Sequence, residues 1–123
     1  MSQLEELEIG FIEEYESALL LLEHSKKKSA TILLSKALFA LIDYILFSKY
    51  MKLPKNHAER FRILEQKEPQ IYELVDSVWN TYTDTYSKPS AEEAIGLLQG
   101  VIIQIIAYDG ILSQKIKNIT GKK

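Results

Sequence analysis

Residues 29–50 constrain the fold more than any other segment, because they are apolar on nearly every side of a helix. A surface helix carries one apolar stripe, whereas a helix that is apolar all round lies inside a bundle. The segment therefore predicts a central helix against which the other helices pack. Ser29, Lys36, Asp43 and Tyr50 interrupt it at intervals of seven, which places them along one line of the helix.

Asp43 is the most informative of these four residues, because burial of an acid without a partner is costly. Lys36, two turns away, is one candidate partner. Arg60 and Arg62, beyond the following turn, are better candidates, since a guanidinium suits partly buried ion pairs. We expect this line of the helix to contribute to a polar cleft.

The rest of the chain predicts four further helices from apolar residues recurring at spacings of three and four. Asn56 is a good N-cap for the third helix, Pro69 suits the first turn of the fourth, and Ser90 with Glu93 forms a capping box for the last. The predicted helices span residues 3–24, 29–50, 57–66, 69–86 and 91–119. We expect one all-α domain over residues 1–123, an antiparallel up-and-down bundle of four to five helices.

Composition excludes several classes of protein. The 123 residues are 46% hydrophobic and contain no cysteine, which suits a globular domain without disulfides, thiolate metal sites or a cysteine nucleophile. The two histidines are far apart in sequence, so neither a metal site nor a cofactor is predicted. Residues 94–112 lack Lys and Arg, but Asp109 would cost about 2.5–3.5 kcal/mol at a membrane centre. We therefore expect a cytoplasmic protein that does not enter a membrane.

Charge is unevenly distributed along the chain. Residues 1–25 hold seven glutamates and no basic residue, whereas residues 26–62 hold nine lysines and arginines and two acids. The two blocks can pair with each other inside the bundle, which is the favoured interpretation. Alternatively, the basic block, including residues 26–28, presents a basic face to RNA.

The hinge before the third helix carries the residues with the most distinctive chemistry. A metal-independent ribonuclease needs an acid or base near neutral pH and a cation on the phosphate. His57 with Arg60 or Arg62 supplies those groups. The favoured interpretation is structural: His57 occupies the first helical turn, and Arg60 pairs with Asp43 or Glu59.

The chain resembles the HEPN-domain family of small helical nucleotide-binding and ribonuclease-associated domains. The resemblance covers about residues 10–115. It rests on the glutamate-rich first helix leading to residues 18–22, on residues 36–44, and on residues 56–61 with the Tyr82 and Tyr86 region.

The resemblance implies a helical bundle, usually dimeric through a shared cleft, and a nucleotidyltransferase-like partner or a toxin–antitoxin-type system. Active family members carry an arginine followed four to six residues later by histidine. Here no histidine follows His57, so the expected function is a non-catalytic binding or regulatory module. The candidate binding residues are Lys36, Asp43, His57, Arg60, Arg62, Tyr82, Asp84 and Tyr86.

Overall fold

A computed structural model describes residues 1–83 and 91–119, apart from the side chains of residues 80–83 and 91. This part of the chain is an all-α bundle, as predicted. Its helices are α1 (Gln3–Glu23), α2 (Lys27–Tyr50), α3 (His57–Lys67), α4 (Pro69–Thr83), α5 (Ala91–Tyr108) and α6 (Gln114–Ile119).

The first two helices form a hairpin around a very short turn. Ser2 caps α1 by accepting a hydrogen bond from the Glu5 N–H, and the Glu5 carboxylate accepts one from the Ser2 N–H. Ser25, with φ of 59°, turns the chain in the left-handed conformation. The predicted start of the second helix was two residues late, because Lys27 already lies in its first turn and pairs with Glu92 of α5 at 2.6 Å.

Helix α2 lies at the centre, as its apolar sequence predicts. It packs against α1 and α5, and its side chains Leu34, Leu41, Ile42, Ile45 and Leu46 are fully buried. Of the described helices, α2 alone is long and apolar enough to cross a membrane, and 56% of that stretch is buried within the protein. The core helix of a soluble protein passes the same test of length and composition.

The hinge between α2 and α3 fixes where α3 begins. Met51, with φ of 56°, ends α2 in the left-handed conformation, and Pro54 is buried. Asn56 is extended, and its Oδ1 accepts a hydrogen bond from the Glu59 N–H at 2.9 Å. The predicted N-cap is confirmed, and it makes His57 the first residue of α3.

The predicted continuous last helix over residues 91–119 is wrong, because the chain turns at residues 109–113 between α5 and α6. The Asp109 side chain ends α5 by bonding to the backbone two residues further on. Its Oδ1 accepts a hydrogen bond from the Ile111 N–H at 2.9 Å. Such a side chain-to-backbone bond competes with the next helical turn. Gly110 therefore lies in this turn and not in a helix.

The glycines of α5 do not mark a close contact with another described helix. Interior glycines usually permit close approach of a neighbouring helix. A Cβ atom at Gly96 or at Gly100 would meet nothing within 4 Å in the described part of the protein. Leu97 and Ile103 on the same helix are 41% and 45% exposed.

Candidate functional site

A groove with a volume of about 480 Å³ runs along α2. Leu7 and Glu14 of α1 line one side, and Val75 and Trp79 of α4 line the other. Residues of α2, including Lys36, Phe39 and Asp43, form the floor, and His57 of α3 lies at the edge. We name this the aromatic groove. Its size is typical of sites for small molecules.

Asp43, Arg60 and His57 form a chain of hydrogen bonds beside this groove. The Arg60 Nε and Nη2 groups donate to Asp43 Oδ1 and Oδ2 at 2.7 and 2.9 Å. The two side chains are only 10% and 14% exposed. The predicted partnership of Asp43 with Arg60 is therefore confirmed, and its two parallel hydrogen bonds are the geometry that a guanidinium favours with a carboxylate.

The same guanidinium holds the imidazole of His57. Arg60 Nη1 lies 2.8 Å from His57 Nδ1. A guanidinium can only donate hydrogen bonds, so Nδ1 must accept, and the ring proton is assigned to Nε2. His57 and Arg60 are three residues apart and share a face of α3, which is why the N-cap at Asn56 determines this contact.

Four rings cluster around this chain of hydrogen bonds. The Phe39 and His57 centroids are 4.5 Å apart, and the Trp79 centroid lies 5.3 Å from that of His57 and 5.4 Å from that of Phe61. Arg60 Cζ lies 5.0 Å from the Phe39 centroid, within the range of a cation–π contact. The hydrogen bonds among Asp43, Arg60 and His57 and the ring contacts therefore hold the same side chains in place beside the groove.

Glu14 and Lys36 face the same groove from α1 and α2. Burial raises the pKa of Glu14, the positive charge of Lys36 opposes this rise, and the charge of Glu13 adds to it. Lys36 is exposed, so its ammonium is available to an anion in the groove. A perturbed carboxyl beside a cation in a concave site is a common feature of binding and catalytic sites.

The structure does not bring all the predicted site residues together. Lys36, Asp43 and His57 line the aromatic groove, and Arg60 lies directly behind it. Arg62 instead lines a separate groove on another face of α3. The predictions for Asp84 and Tyr86, and for the side chain of Tyr82, lie outside the described residues.

The positions of the basic residues are relevant to the ribonuclease and RNA-binding alternatives. Arg60 is occupied by Asp43 and His57, and Arg62 does not share a groove with His57. The basic block is also divided, because Lys26 and Lys28 lie at the start of α2 while Lys52 follows its end. Those ends are about 35 Å apart at 1.5 Å per residue.

Sequence reasoning missed Glu14, Phe39 and Trp79 as members of the site. Glu14 is one of seven glutamates in residues 1–25, and no sequence feature distinguishes it from the others. A usable signal did exist for Phe39, since it lies one turn before Asp43 on α2 and therefore shares its face. Trp79 had no comparable signal, because its position depends on how α4 packs.

A second polar cluster ties the turn after α5 to the end of α2. Lys49 Nζ lies 2.8 Å from Asp109 Oδ2 and 3.2 Å from Glu68 Oε2, and the Tyr50 hydroxyl donates to Glu68. The Asp109 side chain is fully buried and that of Glu68 is 8% exposed. Asp109 Oδ2 accepts no well-aligned hydrogen bond among the described residues, so we assign its contact with Lys49 as an ion pair.

The cluster shifts the proton affinity of two of its members. Burial lowers the pKa of Lys49, but the two carboxylates together outweigh burial and raise this pKa above its ordinary value of 10.5. The hydrogen bond to Glu68, reinforced by burial, raises the pKa of Tyr50 above 10.0. Both groups therefore bind their protons more tightly in the folded protein.

Comparisons with known proteins add no assignment to this geometry. The described residues contain no group of three or more His, Cys, Asp or Glu side chains placed to hold a metal ion. A scan against protein families, a search of curated proteins and a search of solved structures each found no match to the chain.

Proposed function

We propose that this chain is a cytoplasmic, non-catalytic HEPN-like binding or regulatory module whose aromatic groove takes a nucleotide. The observation that carries this proposal is the ring cluster of Phe39, His57 and Trp79 beside the exposed Lys36. Aromatic side chains stack on nucleobases of any sequence, each contact contributing about 1–3 kcal/mol. The lysine ammonium supplies a charge for a phosphate group.

The polar groups of the groove suit binding better than hydrolysis. The ribonuclease alternative places Arg60 or Arg62 on the phosphate, next to His57 as the acid or base. Arg60 is held by Asp43 and His57, and its residue is only 9% exposed. His57 is therefore placed to donate from Nε2 to a ligand acceptor while Arg60 maintains its orientation.

We expect adenosine monophosphate to quench the fluorescence of Trp79, the single tryptophan of the chain. Lys36→Gln should weaken its affinity about tenfold by removing the phosphate contact. Phe39→Leu should weaken it by a similar factor, because it keeps an apolar side chain but removes a stacking surface. Fluorescence titration at constant ionic strength measures each dissociation constant.

Lys28→Gln is the matched control, since it removes an exposed lysine of α2 that does not line the groove. If Lys28→Gln weakens nucleotide binding as much as Lys36→Gln does, the proposed site is contradicted. Absence of binding at millimolar nucleotide would also contradict it. In EDTA, a single-stranded RNA incubated with the protein should be recovered intact. Cleavage that His57→Ala abolishes would replace the binding function with the ribonuclease alternative.

We further propose a homodimer, which the HEPN resemblance implies, together with an association with a nucleotidyltransferase-like protein. The dimer is supported by one side of α5, where Ile103 is 45% exposed and shares a face with Gly96 and Gly100. An exposed apolar side chain on such a face can be covered by a second copy of the chain. The open space at Gly96 and Gly100 leaves room for a second helix to approach.

Sedimentation equilibrium tests the dimer directly. We expect the wild-type protein to sediment as a dimer and Ile103→Lys to sediment as a folded monomer, because a charge on this face is not tolerated when it is buried. Lys117→Glu changes an exposed residue of α6 and should leave the dimer intact. A wild-type monomer at all concentrations tested would end this part of the proposal.

A further inference from the structure

A second groove lies along α3, with a different chemical character. It has a volume of about 560 Å³, and Glu59, Arg62, Ile63, Gln66 and Lys67 form one wall along a single face of α3. Lys52 and Leu53 of the hinge form the opposite wall. We name this the basic groove.

The charges in this groove do not cancel one another. Among the described residues that line it, Lys52, Arg62 and Lys67 are cations and Glu59 is the single acid, which gives a net charge of +2. None of the three cations forms an ion pair with a described residue, whereas Lys27, Lys49 and Arg60 all do. A concave surface lined by one sign of charge concentrates ions of the opposite sign.

The walls of the basic groove are held in place. Buried Pro54 and the capped start of α3 fix the hinge, and Ile63 anchors α3 in the core. Lys67 Nζ lies 5.8 Å from the centroid of the Tyr50 ring, which restrains one of the cations. Cations on a fixed scaffold lose less freedom on binding an anion than cations on a mobile tail.

We propose that the basic groove binds a small phosphate-class anion carrying at least two negative charges. In an anion with two phosphoryl groups, Arg62 supplies two parallel N–H donors to one group. Lys52, from the facing wall, supplies a point charge to the second group. The Gln66 amide adds a neutral donor. The Glu59 carboxylate opposes anion binding, and the three cations of the groove outweigh it. None of the residues that line this groove lines the aromatic groove.

The test uses inorganic pyrophosphate as the probe, with the full chain. We expect calorimetric binding that weakens as salt rises, with backbone amide shifts concentrated in residues 52–67. Lys52→Gln combined with Arg62→Gln should weaken pyrophosphate affinity at least about tenfold. Inorganic phosphate should bind more weakly than pyrophosphate, because it spans only one of the two walls.

The matched control is Lys26→Gln combined with Lys28→Gln. It removes the same total charge from two exposed lysines at the other end of α2 and should change pyrophosphate affinity by less than about twofold, since charges so distant are screened. Equal losses in the two double variants would overturn the proposal, as would absence of binding at about 10 mM pyrophosphate. Lys52→Gln combined with Arg62→Gln should leave adenosine monophosphate affinity in the aromatic groove unchanged, so failure here and failure in the aromatic groove are distinguishable.

Discussion

Asp43→Asn should lower the free energy of unfolding by about 3 kcal/mol, because it leaves the Arg60 guanidinium buried without its counter-charge. The two side chains are 14% and 10% exposed, so water replaces little of the lost interaction. Arg60→Gln should have a comparable effect, since it leaves the carboxylate unpaired. Urea denaturation followed by circular dichroism measures both changes.

The double variant locates the interaction. Asp43→Asn with Arg60→Gln should lose less stability than the sum of the single losses, by about 2 kcal/mol, because neither partner then remains charged and unpaired. Arg62→Gln, on the same helix but exposed, should change stability by no more than about 0.5 kcal/mol. Additive losses for Asp43 and Arg60 would mean that their contact does not stabilise the fold.

Lys49→Met should also cost about 3 kcal/mol, through a different cluster. It leaves the buried carboxylates of Asp109 and Glu68 without Lys49, the cation that pairs with both of them in the described part of the protein. Lys52→Met is the control, since this exposed lysine has no ion-pair partner among the described residues.

The wild-type protein should lose folding stability at high pH. The pKa values of Lys49 and Tyr50 are raised in the folded state, so the stability they contribute is complete below their unfolded values of 10.5 and 10.0. It is lost as pH rises through the folded values. Urea denaturation between pH 9 and 12 should therefore show a free energy of unfolding that falls above about pH 10, and the fall should be shallower in Lys49→Met. Equal slopes in the two proteins would remove Lys49 from this effect.

Local chemistry made part of the structure predictable from the sequence. The apolar surface of residues 29–50 predicted the central helix, the capping residue Asn56 predicted the start of α3, and the isolated acid Asp43 predicted an arginine partner. Each of these follows from the properties of a single segment or residue. The choice of Arg60 over Arg62 required the orientation of α3, which depends on tertiary packing.

Other features depend on contacts that a sequence pattern does not contain. The apolar period continues through Asp109, but the turn there is stabilised by its own hydrogen bond to Ile111 and by the distant Lys49. The groove positions of Glu14 and Trp79 likewise depend on how α1 and α4 stand on either side of α2. Periodicity predicts which face of a helix is buried, but it does not predict which helix covers that face.

Helix α3 separates the two grooves, and this has a thermodynamic consequence. His57 at its first turn borders the aromatic groove, whereas Arg62 and Lys67 border the basic groove. A helix of 11 residues is marginal in isolation, so α3 is held mainly by its contacts with the rest of the bundle. Any ligand that moves α3 in one groove therefore changes the shape of the other. If the two ligands are coupled in this way, each must alter the affinity of the other by the same factor.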